Sequence, residues 1–257
     1  MDYLISQGAE LNKATNDPGH SAHGKTALHW AVDGDHKTVV DSLLQAGATI
    51  DTLVLQNKKF TDYLTALIDD NNVALAQVLA KNKTILMTPI NSILCTLPLH
   101  RAAQQGRLDI IKVILQAHPD LLNQKDENNQ TPLLWAASRG HKEVVDYLIS
   151  LGADLNAATS VTDIKHSHHG RTTLYWAVDG DHKTVGDSLL QAGATIDTLV
   201  LQNKKLKDYQ IPVRQASVSS VSETFFQKSQ VKKRLEAEED DFDWVDEWTP
   251  LLPQKGL

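Results

Sequence analysis

The sequence predicts an all-α solenoid in which short helix-turn-helix units stack side by side. The first observation behind this prediction is repetition: residues 26–51 return almost unchanged as residues 172–197, and looser copies occupy residues 97–123 and 131–156. A motif that recurs at a spacing of about 33 residues is typical of a stacked array and not of a globular enzyme core. The second observation is that each copy holds two short helical patterns, whose apolar faces need neighbouring units in order to be buried.

The second helix of each unit carries the clearer pattern. In the first full copy, Val39 and Val40 are followed by Leu43 and Leu44, so adjacent apolar pairs recur at helical spacing and form a broad stripe. The equivalent residues in the two middle copies are Ile110, Ile111, Ile114, Leu115, Val144, Val145, Leu148 and Ile149. The residues expected to end this helix in a left-handed conformation, which glycine adopts at least cost, are Gly47, Gly152 and Gly193.

The segments TALH, GDHKTVVDSLL and GATID resemble the ankyrin repeat, and the resemblance extends over most of residues 1–210. It implies stacked helix pairs joined by short finger loops. The predicted units are a half repeat at 1–15, a repeat at 16–51, a degenerate repeat and connector at 52–91, repeats at 92–125 and 126–159, a repeat plus the start of a truncated one at 160–210, and a disordered or partly helical acidic tail at 211–257.

Some stretches depart from the family pattern. Residues 2–15 match residues 146–159, so the chain begins inside a repeat, and we expect a fragment of a longer protein or a displaced start in preference to a bare half-unit. Asp35 and Asp181 stand where the family usually has a glycine, and aspartate tolerates the left-handed conformation better than most residues. The degenerate repeat should form one helix through residues 64–68 and another through residues 75–79, before an extended connector at residues 85–96.

Composition excludes several classes of protein. The net charge is −7, but eight acids lie between residues 236 and 247, so the rest of the chain is close to neutral and carries no basic stripe for nucleic acid. Cys95 is the single cysteine, which excludes an internal disulfide. The sequence has no apolar run long enough to insert in a membrane and no secretory leader at its start, so we expect a cytoplasmic protein.

The resemblance implies that a protein partner binds the concave face, which the finger tips and first helices of the repeats form. Tryptophan and arginine are enriched among interface residues that dominate binding energy, and several lie at one position of successive first helices. An alternative is that each tryptophan packs flat on the next helix and only rigidifies the stack. The predicted partner-binding residues are Trp30, Asp33, Arg101, Gln104, Trp135, Ser138, Arg139, Trp176 and Asp179.

No motif in the sequence predicts catalysis, a metal site or a cofactor. It contains neither a phosphate-binding glycine loop nor a zinc-protease helix nor a nucleophile elbow. His166, His168 and His169 lie near Asp163 in an inserted loop, where a metal could bind, but a solvated polar loop is the better interpretation. We therefore predict no catalytic residue, no metal and no cofactor; no feature predicts an oligomeric state.

The acidic tail ends in short motifs formed by Glu247, Trp248, Leu251 and Leu252. They resemble an acidic dileucine sorting signal and an autophagy-adaptor-binding motif. The glutamate cluster before them resembles the secretion signal of bacterial type IV effectors, which would place the protein in a host cell's cytosol. An acidic segment that only keeps the protein soluble is the alternative.

The leading hypothesis is thus a non-enzymatic protein-binding module whose tail acts as a sorting, secretion or regulatory signal. Two alternatives stay open at this point. The chain could be a fragment of an enzyme whose catalytic module lies elsewhere, or a structural scaffold whose acidic tail folds back over the groove as its own cap.

Overall fold

Short α-helices joined by turns form the described part of the chain. The computed structural model describes residues 2–16, 24–90, 96–159, 170–203, 205, 206 and 209. All of these belong to one unit, Met1–Gln210. The second unit, Ile211–Leu257, lies outside the described residues, and so do the predicted disorder and motifs of the tail, the histidine loop and Cys95.

The helices are α1 (Asp2–Ser6), α2 (Ala27–Asp33), α3 (Lys37–Gln45), α4 (Thr52–Leu55), α5 (Lys58–Asp69), α6 (Val73–Leu79), α7 (Lys83–Leu86), α8 (Pro98–Gln104), α9 (Leu108–Ala117), α10 (Pro132–Ser138), α11 (Lys142–Ser150), α12 (Thr173–Asp179), α13 (Lys183–Ala192) and α14 (Thr198–Gln202). A 3-10 turn, Pro119–Leu121, follows α9. The described residues contain no strand; an isolated antiparallel bridge joins Ala158 to Thr172. The predicted all-α class is therefore confirmed.

Five helix pairs succeed one another along the chain, and like helices pack on like. The first helices form one layer, in which α2 packs on α5, α5 on α8, α8 on α10 and α10 on α12. The second helices form the other layer, in which α3 packs on α6, α6 on α9 and α11 on α13. The predicted solenoid of stacked helix pairs is confirmed. We call the surface formed by α2, α5, α8, α10 and α12 the first-helix face.

The apolar stripes of the second helices form much of the core. Val40, Leu43 and Leu44 are buried on α3, whereas Val39 is half-buried at the edge of the stripe. The middle copies repeat this arrangement, and their fully covered side chains include Ile110, Ile111, Val144, Val145 and Leu148. Burying one such side chain contributes roughly 1.5–3 kcal/mol, so these stripes supply a large share of the stability of the stack.

The turns after the helices adopt the conformations that their residues predict. Asp35 and Asp181 take φ values of 54° and 61°, in the left-handed region, and Asn71 does the same in the degenerate repeat. The three glycines predicted to follow second helices also have positive φ: Gly47, Gly152 and Gly193.

In the degenerate repeat, α5 and α6 lie where the apolar pattern places two helices. The extended connector predicted from residue 85 onward is wrong for its first two residues, because Ile85 and Leu86 belong to α7 and are buried. The side chain of Asn82 caps this helix by accepting a hydrogen bond of 3.0 Å from the backbone N–H of Thr84. Burial of two large apolar side chains thus outweighs the weak helical signal of a four-residue segment.

Candidate protein-binding surface

Two rows of side chains run along the first-helix face. Their register follows from the left-handed residue that stands two positions after the end of each first helix, which is Asp35, Asn71, Gly106, Gly140 or Asp181. The first row stands five positions before that residue and consists of Trp30, Ala66, Arg101, Trp135 and Trp176. The second row stands two positions before it and consists of Asp33, Asp69, Gln104, Ser138 and Asp179. Arg139 follows Ser138 directly.

The predicted partner-binding residues differ in their exposed fraction. Trp30 is 49% exposed, and Arg139 and Asp179 are exposed as well. Gln104 is only 6% exposed, so it offers little surface to a partner. The half-buried residues are Asp33, Arg101, Trp135, Ser138 and Trp176.

A polar network surrounds the exposed Trp30. The ammonium group of Lys25 lies 5.0 Å from the centroid of the Trp30 ring and 2.6 Å from Oδ2 of Asp33. Asn57 donates a hydrogen bond of 2.7 Å to Oδ1 of Asp33, and Lys59 donates to the Asp33 carbonyl oxygen. The hydrogen bond from Lys25 lowers the pKa of Asp33, so this carboxylate stays charged and paired. These contacts join Lys25, Asn57 and Lys59 to the C-terminal end of α2, one turn after Trp30.

In the middle of the face, Arg101 is engaged within the array. Its Nε and Nη2 atoms donate to the two carboxylate oxygens of Asp69 at 2.9 and 2.6 Å, and Nη1 donates to Oε1 of Gln104 at 2.9 Å. Paired N–H donors that match both oxygens of a carboxylate make a strong, well-oriented contact. Arg101 therefore links α8 to α5, and an acidic partner would have to compete with Asp69 for it.

Trp135 is anchored to the finger loop of its own repeat. Its indole N–H donates to Oδ2 of Asp126 at 2.9 Å. The other oxygen of Asp126 accepts hydrogen bonds of 2.9 Å from the backbone N–H groups of Asn128 and Gln130. One buried carboxylate thus fixes both the loop and the ring, so Trp135 stabilises the stack while part of it faces solvent.

The same finger loop is also bound by His100, a fully buried residue of α8. Nε2 of His100 lies 3.0 Å from the carbonyl oxygens of both Gln124 and Gln130, so this nitrogen carries a proton and donates to them. Burial lowers the pKa of His100, although the Asp126 charge and the two carbonyl groups oppose the shift. His100 is therefore a neutral clamp on the loop.

Because the imidazole of His100 is buried and neutral, we expect the stability of the protein to depend on pH. Because the pKa of His100 is lower in the folded chain, the unfolded chain binds a proton there more readily as pH falls through about 6.5, so the free energy of unfolding falls as pH falls. The expected contribution reaches at most about 1.4 kcal/mol per pH unit. Urea unfolding between pH 7.5 and 5.5 measures it, and His100→Gln should give a shallower slope. Equal slopes for the two proteins would contradict the burial of a neutral imidazole.

At the far end of the face, an arginine lies against two aromatic rings. The guanidinium carbon of Arg171 is 4.5 Å from the centroid of Tyr175 and 5.3 Å from that of Trp176. Tyr175 stands where the first copy has the buried His29. Each of the duplicated tryptophans therefore lies beside a cation, Lys25 in one copy and Arg171 in the other.

Sequence reasoning missed several residues of this surface. Asp69 was not predicted because the degenerate repeat lacks the family motif. Its position two residues before the left-handed Asn71 is the signal that could have identified it. Asp126 and Arg171 precede their helices, and only three-dimensional contacts join them to Trp135 and Trp176. Tyr175 replaces the buried histidine of the first copy, His29, and that exchange is a signal in the sequence itself.

The described residues contain no group of three or more histidine, cysteine, aspartate or glutamate side chains placed to hold a metal ion. Within the same part of the chain, no helix has the length and apolar character required to cross a membrane.

Comparisons with known proteins agree with this architecture. The chain is 42% identical over 59 residues to the DNA-binding protein RFXANK of Homo sapiens, a stretch that is 23% of either protein. It is 30% identical over 131 residues to ankyrin repeat and SAM domain-containing protein 6 of Rattus norvegicus, covering 51% of this chain and 14% of that one. It is 41% identical over 66 residues to protein phosphatase 1 regulatory subunit 27 of Mus musculus, covering 26% and 42%. The matched stretches span less than half of each of these relatives.

Family models match more of the chain. One described as "Ankyrin repeats (3 copies)" matches residues 53–159 and 99–199, and one described as "Ankyrin repeat" matches residues 23–54. These stretches contain the five helix pairs and the two rows of the first-helix face, and they cover well over half of the sequence. The chain belongs to the ankyrin-repeat family.

Proposed function

We propose that this chain is a non-catalytic module that binds a protein partner on its first-helix face. The observation that carries the proposal is the 49% exposure of Trp30 within a network of charged and amide groups. A large aromatic side chain held in place at a polar surface offers much contact area at little entropic cost on binding. Ankyrin repeats in general imply protein partners, and a name such as regulatory subunit for a relative is in keeping with that role.

The side chains of the first-helix face suggest a partner that presents both apolar and polar groups. Trp30 and the half-buried rings of Trp135 and Trp176 supply apolar contact, while Arg139 and Asp179 add exposed charges of opposite sign. Arg101 and Asp69 neutralise each other and contribute shape more than charge. A partner segment with an apolar anchor near Trp30 and polar groups along the remaining repeats would fit this surface.

We expect the double substitution Trp30→Ala with Arg139→Ala to lower recovery of bound protein by about tenfold or more, because truncated hot-spot residues often cost more than 1–2 kcal/mol each. The measurement is quantitative affinity purification of the full chain from cells, with bound proteins compared between variants. The matched control is Glu143→Ala with Lys183→Ala, which changes exposed residues on the second helices. Equal recovery by both double variants would reject the first-helix face as the binding surface.

We further propose that the tail motif of Glu247, Trp248, Leu251 and Leu252 acts independently as a sorting, secretion or regulatory signal. The support for this is the motif and the run of eight acids that ends at Glu247, in the sequence alone. A chain ending at residue 235 serves as a third arm of the same experiment. Unchanged recovery of the face-bound protein is expected if the tail acts separately. Increased recovery would instead favour a scaffold whose tail covers the face.

A further inference from the structure

In the last helix pair of the described residues, α12 and α13, a tyrosine occupies a gap beside α13. Tyr209 is only 6% exposed, although it lies beyond α14. If Gly186 carried a Cβ atom, that atom would lie 2.1 Å from Cε1 of Tyr209. The Tyr209 hydroxyl donates a hydrogen bond of 3.3 Å to the carbonyl oxygen of Ala177 on α12. The ring therefore contacts both helices of the pair at a distance that only glycine permits.

The first copy of the duplicated block has a different arrangement with nearly the same residues. There Val40 stands in place of Gly186 and Tyr63 in place of Tyr209. Tyr63 stacks on Phe60 with ring centroids 5.9 Å apart, and its hydroxyl donates to Asp41 at 2.6 Å. In that copy α6 packs on α3, the helix that carries Val40.

We propose that Gly186 and Tyr209 form a built-in cap on α12 and α13, the last helix pair among the described residues. Because the second copy has glycine where the first has valine, a slot is open on α13, and the Tyr209 ring fills it. Leu206 is also buried, and its carbonyl oxygen accepts a hydrogen bond of 3.0 Å from the backbone N–H of Tyr209. Glycine is normally unfavourable inside a helix, and Gly186 lies within α13. Its presence there has a physical reason if the space is needed for another side chain.

The cap also acts on the first-helix face. Ala177, which accepts the hydrogen bond from Tyr209, is the residue after Trp176 on α12. A ring that contacts both α12 and α13 therefore helps to position the helix that carries Trp176 and Asp179.

The test is Gly186→Ala, introduced into the full chain and into the Tyr209→Ala variant. In an ordinary helix this change stabilises, but here the added Cβ collides with the tyrosine ring. We expect the Tm to fall by about 3–8 °C in the otherwise unchanged chain. In the Tyr209→Ala background, where the slot is empty, the same substitution should raise the Tm.

Hydrogen exchange measured by mass spectrometry provides a local readout. Gly186→Ala and Tyr209→Ala should each speed exchange in α12 and α13 while leaving α8 and α9 unchanged, which distinguishes a lost cap from general misfolding. A higher Tm for Gly186→Ala in the unchanged chain would overturn the proposal. So would equal effects of that substitution with and without the tyrosine.

Discussion

Replacing Leu148 by alanine is expected to lower the free energy of unfolding by about 2–5 kcal/mol, because it leaves a cavity in a packed core. The same replacement at Leu4 is expected to change it by less than about 0.5 kcal/mol. Both leucines occupy the third position of the identical segment DYLIS. Leu148 lies on α11 with no exposed surface, between α10 and α13, whereas Leu4 on α1 is 57% exposed.

The pair forms its own matched control, since local sequence is the same and only the neighbours differ. Urea unfolding followed by circular dichroism measures both variants under one set of conditions. A large gap between the two costs is expected if stability comes from stacking between repeats. Similar costs would show that the segment is stabilised locally, and the stacked architecture would lose its main energetic support.

Gly140→Ala is expected to cost about 2–4 kcal/mol, for two reasons that add. Gly140 has a φ of 75°, where a residue with a Cβ atom is strained by about 1–2 kcal/mol. The added Cβ would also lie 2.5 Å from Nδ1 of His182. That imidazole donates to the carbonyl oxygen of Ser138 at 3.2 Å and so ties one repeat to the previous one. Displacing the ring breaks this link.

Gly152→Ala is the control that separates the backbone strain from the collision with His182. Gly152 has a φ of 85°, but an added Cβ would meet no atom within 4 Å. We expect this control to cost only the backbone strain, about 1–2 kcal/mol. Thermal unfolding of both variants gives the comparison. If Gly140→Ala cost no more than Gly152→Ala, the contact between successive repeats through His182 would contribute nothing to stability.

The repeat architecture could be predicted because duplication and apolar periodicity report directly on packing. The paired apolar residues of α3, α9 and α11 lie in the core because their helical spacing puts them on one face. Asp35 and Asp181 adopt the left-handed conformation that their position requires. The short helix α7 could not be predicted, since Ile85 and Leu86 are held by tertiary burial and not by a periodic pattern.

The surface was less predictable than the fold. The register of the first helices places Trp30, Arg101, Trp135 and Trp176 in one row, but their exposure depends on partners outside that register. Asp126 binds Trp135 from a finger loop, and Asp69 binds Arg101 from the preceding repeat. Such pairs have no fixed spacing in sequence, so only the folded chain reveals which aromatic and basic groups are already engaged.

The most direct test of protein binding on the first-helix face is site-specific photo-crosslinking in cells. A photo-reactive residue is placed at the exposed position 139 or 179 on that face, or at the exposed position 143 or 183 on the second helices. We predict that one protein adduct forms from positions 139 and 179 and is lost when Trp30 is replaced by alanine. Adducts that form only from positions 143 and 183 would contradict the proposed function and place the partner on the opposite layer.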